Sequence, residues 1–276
     1  MSLKSDGWIA HQCTRPTHRL HPHANPERFR LISPPYSEYQ KQAIENWCPA
    51  NGHERFMRKD FAMPVTEEEL ANWNPMIEGF CERPVRYVDK LSGEPVYIDL
   101  APEDEVPGHL RKVISYGTSS YGYDVRLAGN IEHIKVFTNV VEPEIDPKRM
   151  KATNFGTPRI ETDVDGARYV MIPPHSYLQG PTVEYFRIPR DVLVIVLGKS
   201  TYARSALICN VTPIEPEFEG EVVIEVANTT NSPVRCYLDE GIAQFVFFQG
   251  DEACLRSYKD KLGKYMGQRG LQFAKV

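Results

Sequence analysis

Beyond residue 110 the sequence breaks into short β-rich runs, and this punctuation constrains the fold more than any other feature. Runs at 135–137, 169–172, 192–197, 221–227, 234–238 and 243–248 are separated by Gly, Pro, Asn and Asp. β-branched and aromatic residues suit a pleated, half-buried surface, whereas Gly, Pro, Asn and Asp turn the chain. Long amphipathic helices are hard to find here, apart from a turn or two around 199–205. Many short strands at this spacing point to a barrel or double-layer β fold. The run Glu221-Val222-Val223-Ile224-Glu225-Val226 is densely apolar, as expected of a strand buried on both faces.

The first 110 residues have a different texture. His18, His21 and His23 stand among Pro16, Pro22 and Pro26. The prolines keep any two of these histidines off one helix face, so a solvated loop explains them better than a metal site. Asp6 can cap a short helix through Trp8 and Ile9. Thr66-Glu67-Glu68-Glu69-Leu70 reads as a stronger helix start, with Thr66 as N-cap and Glu69 closing a capping box.

Composition narrows the function classes. The 276 residues are 41% apolar and 25% charged, ordinary for a soluble globular protein. A net charge of −5 argues against a general nucleic-acid binder, whose surface is usually basic. No apolar run reaches membrane-spanning length. The start, Met1-Ser2-Leu3-Lys4-Ser5-Asp6, lacks the apolar core of a secretory signal and is assigned no function. Cys13, Cys48, Cys81, Cys209, Cys236 and Cys254 show no close pairing, which fits a reducing cytoplasm. A zinc nucleobase deaminase needs a His-x-Glu and a Pro-Cys-x-x-Cys segment, and neither occurs. Any deamination by this chain must therefore activate water without that zinc site.

Three stretches can carry chemistry. In Gly198-Lys199-Ser200-Thr201-Tyr202-Ala203-Arg204 a strand runs into a small hydroxylated turn flanked by two cations. Gly198 permits close approach, Ser200 and Thr201 can donate hydrogen bonds, and Lys199 and Arg204 can neutralise phosphate. The spacing is not that of a Walker A loop, so an ordinary turn remains open. Glu225 shares a face with Val223 on the alternation rule. Burial would lift its pKa toward neutrality, as acid–base work requires; an ion pair with an arginine is the equal alternative. Near the C-terminus, Tyr258, Lys264, Tyr265, Gln268 and Arg269, spaced by Gly263, Gly267 and Gly270, can close over a polyanion or lie as a solvated tail.

These features occur in an order that resembles the dCTP deaminase family of the dUTPase-like superfamily. The resemblance runs through Ile114-Ser115-Tyr116-Gly117-Thr118-Ser119-Ser120-Tyr121-Gly122-Tyr123-Asp124-Val125-Arg126 and Glu184-Tyr185-Phe186-Arg187-Ile188-Pro189-Arg190-Asp191. It continues through the 198–204 turn, Asn210-Val211-Thr212-Pro213, Glu215-Pro216-Glu217-Phe218-Glu219-Gly220, Val223-Ile224-Glu225, Glu240-Gly241-Ile242-Ala243-Gln244-Phe245 and Lys264-Tyr265-Met266.

The resemblance implies a mainly β, dUTPase-like distorted barrel or jelly roll of the β-clip type with a few short helices. It implies a homotrimer with active sites shared between subunits, dCTP as substrate, and dUTP and ammonia as products. Magnesium would be bound through the triphosphate, with no protein side chain as metal ligand and no zinc; dTTP is a candidate inhibitor. Glu225 would be the general base and acid, with Ser200 and Arg204 positioning the water. Lys199, Tyr258, Lys264 and Gln268 match triphosphate positions, within a nucleotide-binding turn that includes Thr201, Tyr202 and Ala203. Val223, Ile224 and Gln244 match positions near base and sugar, and backbone groups of Val211, Thr212 and Pro213 the pyrimidine edge. No nucleic-acid or membrane partner is implied.

Two departures from the family stand out. Ser5-Asp6-Gly7-Trp8-Ile9 is similar to the family's opening helix and Met76-Ile77-Glu78-Gly79-Phe80 to the stretch that usually follows soon after, so about 13–73 reads as an insertion. The chain then divides into an N-terminal part, 1–110, that holds this insertion, and a β core at 111–276. The 212–220 loop is compact and lacks an additional basic residue found in some members. Competing readings are a dUTP diphosphatase, with Glu215 as the acid before Phe218-Glu219-Gly220, a bifunctional deaminase and diphosphatase, a deaminase of a 5-modified dCTP, and a nucleotide-sensing relative without turnover.

Overall fold

A computed structural model describes residues 2–16, 18–20, 30–32, 62–71, 73–101, 103–137 and 145–275. The chain divides into two compact units, Met1–Asp6 with Ile77–Val276, and Gly7–Met76.

The larger unit is built on two sheets. The seven-stranded sheet runs in the order β1 (Ser2–Leu3), β19 (Gly241–Gln249), β9 (Gly122–Arg126), β8 (Leu110–Ser119), β6 (Val85–Asp89) and β7 (Pro95–Val96), with β15 (Val192–Gly198) on the other edge of β19. The six-stranded sheet runs β11 (Phe155–Gly156), β10 (Lys135–Phe137), β14 (Tyr177–Arg187), β17 (Glu219–Asn228) and β16 (Leu207–Asn210), with β5 (Ile77–Glu78) also on β14. A third sheet joins β12 (Ile160–Thr162), β13 (Arg168–Ile172) and β18 (Val234–Tyr237). All strand pairings named here are antiparallel.

The fold is thus mainly β with a few short helices, as the punctuation predicts. The six predicted runs fall on β10, β13, β15, β17, β18 and β19, with only Leu238 of the 234–238 run lying past its strand. β14, the longest strand among the described residues, has no counterpart in that punctuation, because Gly180 and Pro181 interrupt its β pattern. Proline is tolerated there by a local irregularity: the β14–β17 register shifts between Pro181 and Tyr185. Burial on both faces of β17 is corrected: Val222, Ile224 and Val226 are 6%, 0% and 1% exposed, whereas Glu221, Val223, Glu225 and Ala227 between them are only half-buried. Large buried rings fill the space between sheets, with Phe186 of β14 and Phe245 of β19 at 4.9 Å between centroids.

Two family-like motifs meet in the core. Glu184 is fully buried and accepts from Arg126 Nε at 2.8 Å and from the Arg126 N–H at 3.0 Å. A buried carboxylate needs such a partner. These two motif residues therefore fasten β14 to β9.

The smaller unit holds α1 (Asp6–Cys13, which begins at the last residue of the larger unit's N-terminal segment), a sheet of β3 (Arg30–Ile32), β2 (His18–Leu20) and β4 (Ala62–Pro64), and α2 (Glu67–Leu70). α2 begins where the Thr66 signal places it, with Thr66 O accepting from the Leu70 N–H at 3.2 Å. The ends of the 13–73 segment lie side by side, since the Met76 N–H donates to Gln12 O at 3.0 Å. His21, His23 and Cys48 lie outside the described residues. Among the described residues no helix is long and apolar enough to cross a membrane.

Candidate active site

The half-buried face of β17 forms one wall of a cavity of about 850 Å³. Strand alternation places Val223, Glu225 and Ala227 on this face, opposite the core set. In register, Glu225 stands directly between Gln179 of β14 and Asn210 of β16, and all three line the cavity. Val211, Thr212 and Pro213 continue the wall beyond β16, and Tyr258, Lys264 and Gln268 of the C-terminal segment also line the cavity.

Glu225 is the chemically poised group. Burial pushes its carboxyl up to about 7, against a lesser lowering by its own backbone N–H. Among the described residues no cation lies within ion-pair distance, so the arginine-paired alternative finds no partner. Its charge is felt nearby: Cys209 is pushed up to about 12, chiefly by burial and then by Glu225, and Tyr177 is raised by the same two causes. A carboxyl titrating near neutrality can both take and return a proton at working pH.

The C-terminal segment is stitched along β17 rather than left as a free tail. Gln268 Nε2 donates to Glu221 O at 2.6 Å, and the Glu221 N–H donates to Gln268 O at 3.0 Å. Gly220 has φ +149°, and a Cβ added there would lie only 3.1 Å from Gln268 N, a backbone conformation and approach that favour glycine. Tyr258 is held by the Tyr265 N–H, which donates to its hydroxyl at 3.0 Å. Lys264 Nζ reaches Lys275 O at 2.5 Å.

The 199–204 turn lies elsewhere. It begins after β15 with α3 (Ser200–Ala203), and none of its residues lines the cavity. Ser200, Thr201, Ala203 and Arg204 are exposed. Tyr202 is buried, its hydroxyl accepting from the Tyr237 N–H at 2.9 Å. Lys199 Nζ pairs with Asp124 Oδ2 at 2.5 Å and donates to Ser115 Oγ at 3.3 Å. Ile224 points into the core at 0% exposure. Gln244 donates to Ser119 Oγ at 3.0 Å, away from the cavity. One chain thus brings Glu225, Val223, the 211–213 backbone, Tyr258, Lys264 and Gln268 together, and holds Lys199, Ser200 and Arg204 apart from them. Gln179 and Tyr177 escaped sequence reasoning; only strand register places them beside Glu225.

A cavity of this size with one unpaired carboxyl near neutrality defines a pocket for proton transfer on a small polar ligand. The chain belongs to the dCTP deaminase-like family, whose profile matches residues 105–250. The dCTP deaminase of Chromohalobacter salexigens is 50% identical over 202 residues, 73% of this chain and 92% of its own. That of Pseudomonas aeruginosa PAO1 is 49% identical over 207 residues, 75% and 94% of the two chains. About a quarter of this chain therefore lies outside the matched span. Among solved structures, the 2'-deoxycytidine 5'-triphosphate deaminase of Agrobacterium tumefaciens overlaps 54% of this chain and 44% of its own at TM-score 0.35 and 16% identity, too little to bear on the site.

Proposed function

We propose that the chain is a dCTP deaminase, converting dCTP and water to dUTP and ammonia in pyrimidine deoxynucleotide metabolism, with Glu225 moving the protons. The observation that carries this is the unpaired Glu225 carboxyl, raised to about 7 in the cavity. As carboxylate, Glu225 takes one proton from water while the oxygen bonds to C4, and passes that proton to N3. It then takes the remaining proton from the C4 hydroxyl and gives it to the amine, the C4–N bond breaks, and ammonia leaves as the C4 carbonyl forms. The diphosphatase reading depends instead on Glu215, which forms an ion pair with Lys261.

Ser200 and Arg204 are read as water-positioning residues supplied by a second copy, in a homotrimer with shared sites. Support comes from their exposure in the single chain, next to Leu197 and Ile208, apolar side chains left 50% and 55% exposed, as a surface awaiting a partner would be. Lys264, Tyr258 and Gln268 suit a triphosphate, and phosphate oxygens offer the hard ligands magnesium prefers. Magnesium bound there would neutralise triphosphate charge, with no step of the amine chemistry passing through it and no zinc required. dTTP as inhibitor and a cytoplasmic location complete the proposal.

The test is a panel of dCTP, CTP, dCMP, 5-modified dCTPs and dUTP, scored for ammonia and pyrophosphate together. Ammonia from dCTP without pyrophosphate supports the proposal. Pyrophosphate from dUTP without ammonia from dCTP would replace it with the diphosphatase reading.

A further inference from the structure

Two buried side-chain oxygens in the cavity that holds Glu225, Gln179 Oε1 and Gln268 Oε1, find no hydrogen-bond donor among the described residues. A buried amide oxygen without a donor is unfavourable, and such atoms call for a specific explanation. Gln268 at least uses its Nε2 on Glu221 O. Gln179 has no hydrogen bond from either side-chain amide atom to a described residue.

Its location gives the explanation. Gln179 is the direct cross-strand partner of Glu225, and both face the cavity while Leu178 and Val226 point into the core. Directly paired side chains on one face stand about 5 Å apart at Cβ. A ligand atom in proton-transfer reach of Glu225 is therefore also within reach of the Gln179 amide. Under the proposed function those atoms are the C4 edge of a pyrimidine.

We propose that Gln179 is a specificity-determining residue whose Oε1 accepts a hydrogen bond from the exocyclic 4-amino group of the bound nucleotide. This rests on the dCTP reading and deepens it. Hydrolysis replaces the amino donor at C4 by a carbonyl acceptor, so the product sets one acceptor against another. A site built to bond a donor discriminates against the analogue that lacks it, because its own buried polar group is then left unpaired. Gln179 thereby favours the substrate over the product and assists product release.

The test measures binding of dCTP and of dUTP to the Glu225→Ala protein, in which dCTP is not consumed, with and without Gln179→Leu. Leucine keeps the volume and removes the acceptor. The expected result is about a tenfold or greater loss of dCTP affinity with dUTP affinity changed less than about twofold. Gln179→Met must reproduce it, which guards against a packing fault peculiar to leucine. An unchanged preference for dCTP over dUTP, a larger loss for dUTP, an equal loss for both, or no binding of either nucleotide overturns the proposal. Failure of the deaminase reading shows separately, as no ammonia from dCTP with the unaltered protein.

Discussion

Asp124 grips Lys199 in an ion pair at 2.5 Å, with 14% and 11% of the two side chains exposed. The cation that sequence reasoning offers to a phosphate is thus neutralised within the fold, 75 residues away in sequence. Burial raises the Asp124 carboxyl, and Lys199 only partly offsets this. Removing one partner of such a pair strands the other charge. Asp124→Asn is expected to lower stability by about 3 kcal/mol, read from the urea midpoint at constant slope. A change within about 0.5 kcal/mol, the range of ordinary surface substitutions, would show that the pair is better solvated than its burial indicates.

Arg126 and Glu184 make a second, deeper test of the same rule. Glu184 is fully buried, and Arg126 supplies both its guanidinium and its backbone N–H. Arg126→Met is expected to cost about 3–5 kcal/mol, and Arg126→Met with Glu184→Leu to recover much of that loss. Thermal or urea unfolding of the two proteins separates a stranded charge from lost packing.

Glu225 ties stability to pH. A carboxyl raised from 4.5 to about 7 binds its proton more tightly when folded. The folded state is therefore unpenalised below about 4.5 and loses stability as pH rises toward 7. The whole effect is about 3 kcal/mol. Glu225→Gln, neutral at every pH, is expected to match the unaltered protein near pH 4 and to exceed it by up to that amount near pH 8. Urea unfolding at both pH values reads the difference; equal gaps at the two would contradict the raised pKa.

Tyr258 keeps its place because residue 263 is glycine. A Cβ on Gly263 would sit 2.1 Å from Tyr258 Cε1, inside any van der Waals contact. Gly263→Ala is expected to push the ring out of the cavity wall, at a cost of about 1–3 kcal/mol. Nucleotide affinity should fall with it, measured by calorimetric titration with dUTP; unchanged affinity would remove Tyr258 from the binding surface.

The sequence made β15, β17 and β19 legible because their apolar runs are dense and cleanly bounded. β14 was hidden by Gly180 and Pro181, whose accommodation depends on a register shift against β17 that local pattern cannot reveal. The same limit applies to the site. Glu225 could be singled out as a carboxylate amid valines, but its neighbours Gln179 and Asn210 arrive through pairing with strands 46 and 15 residues away. Ser200 and Arg204 lead into β16 at its Leu207 end, which pairs with Asn228, whereas Glu225 pairs with Asn210 at the other end; that offset, too, is set by register.

Glu225→Gln tests the central claim most directly. Glutamine preserves size and hydrogen bonding but cannot take a proton from water. With saturating dCTP, the variant is expected to bind nucleotide within a few-fold of the unaltered protein and to release ammonia at least about 10²-fold more slowly, the minimum associated with a lost general base. Ammonia release at the unaltered rate would contradict the account.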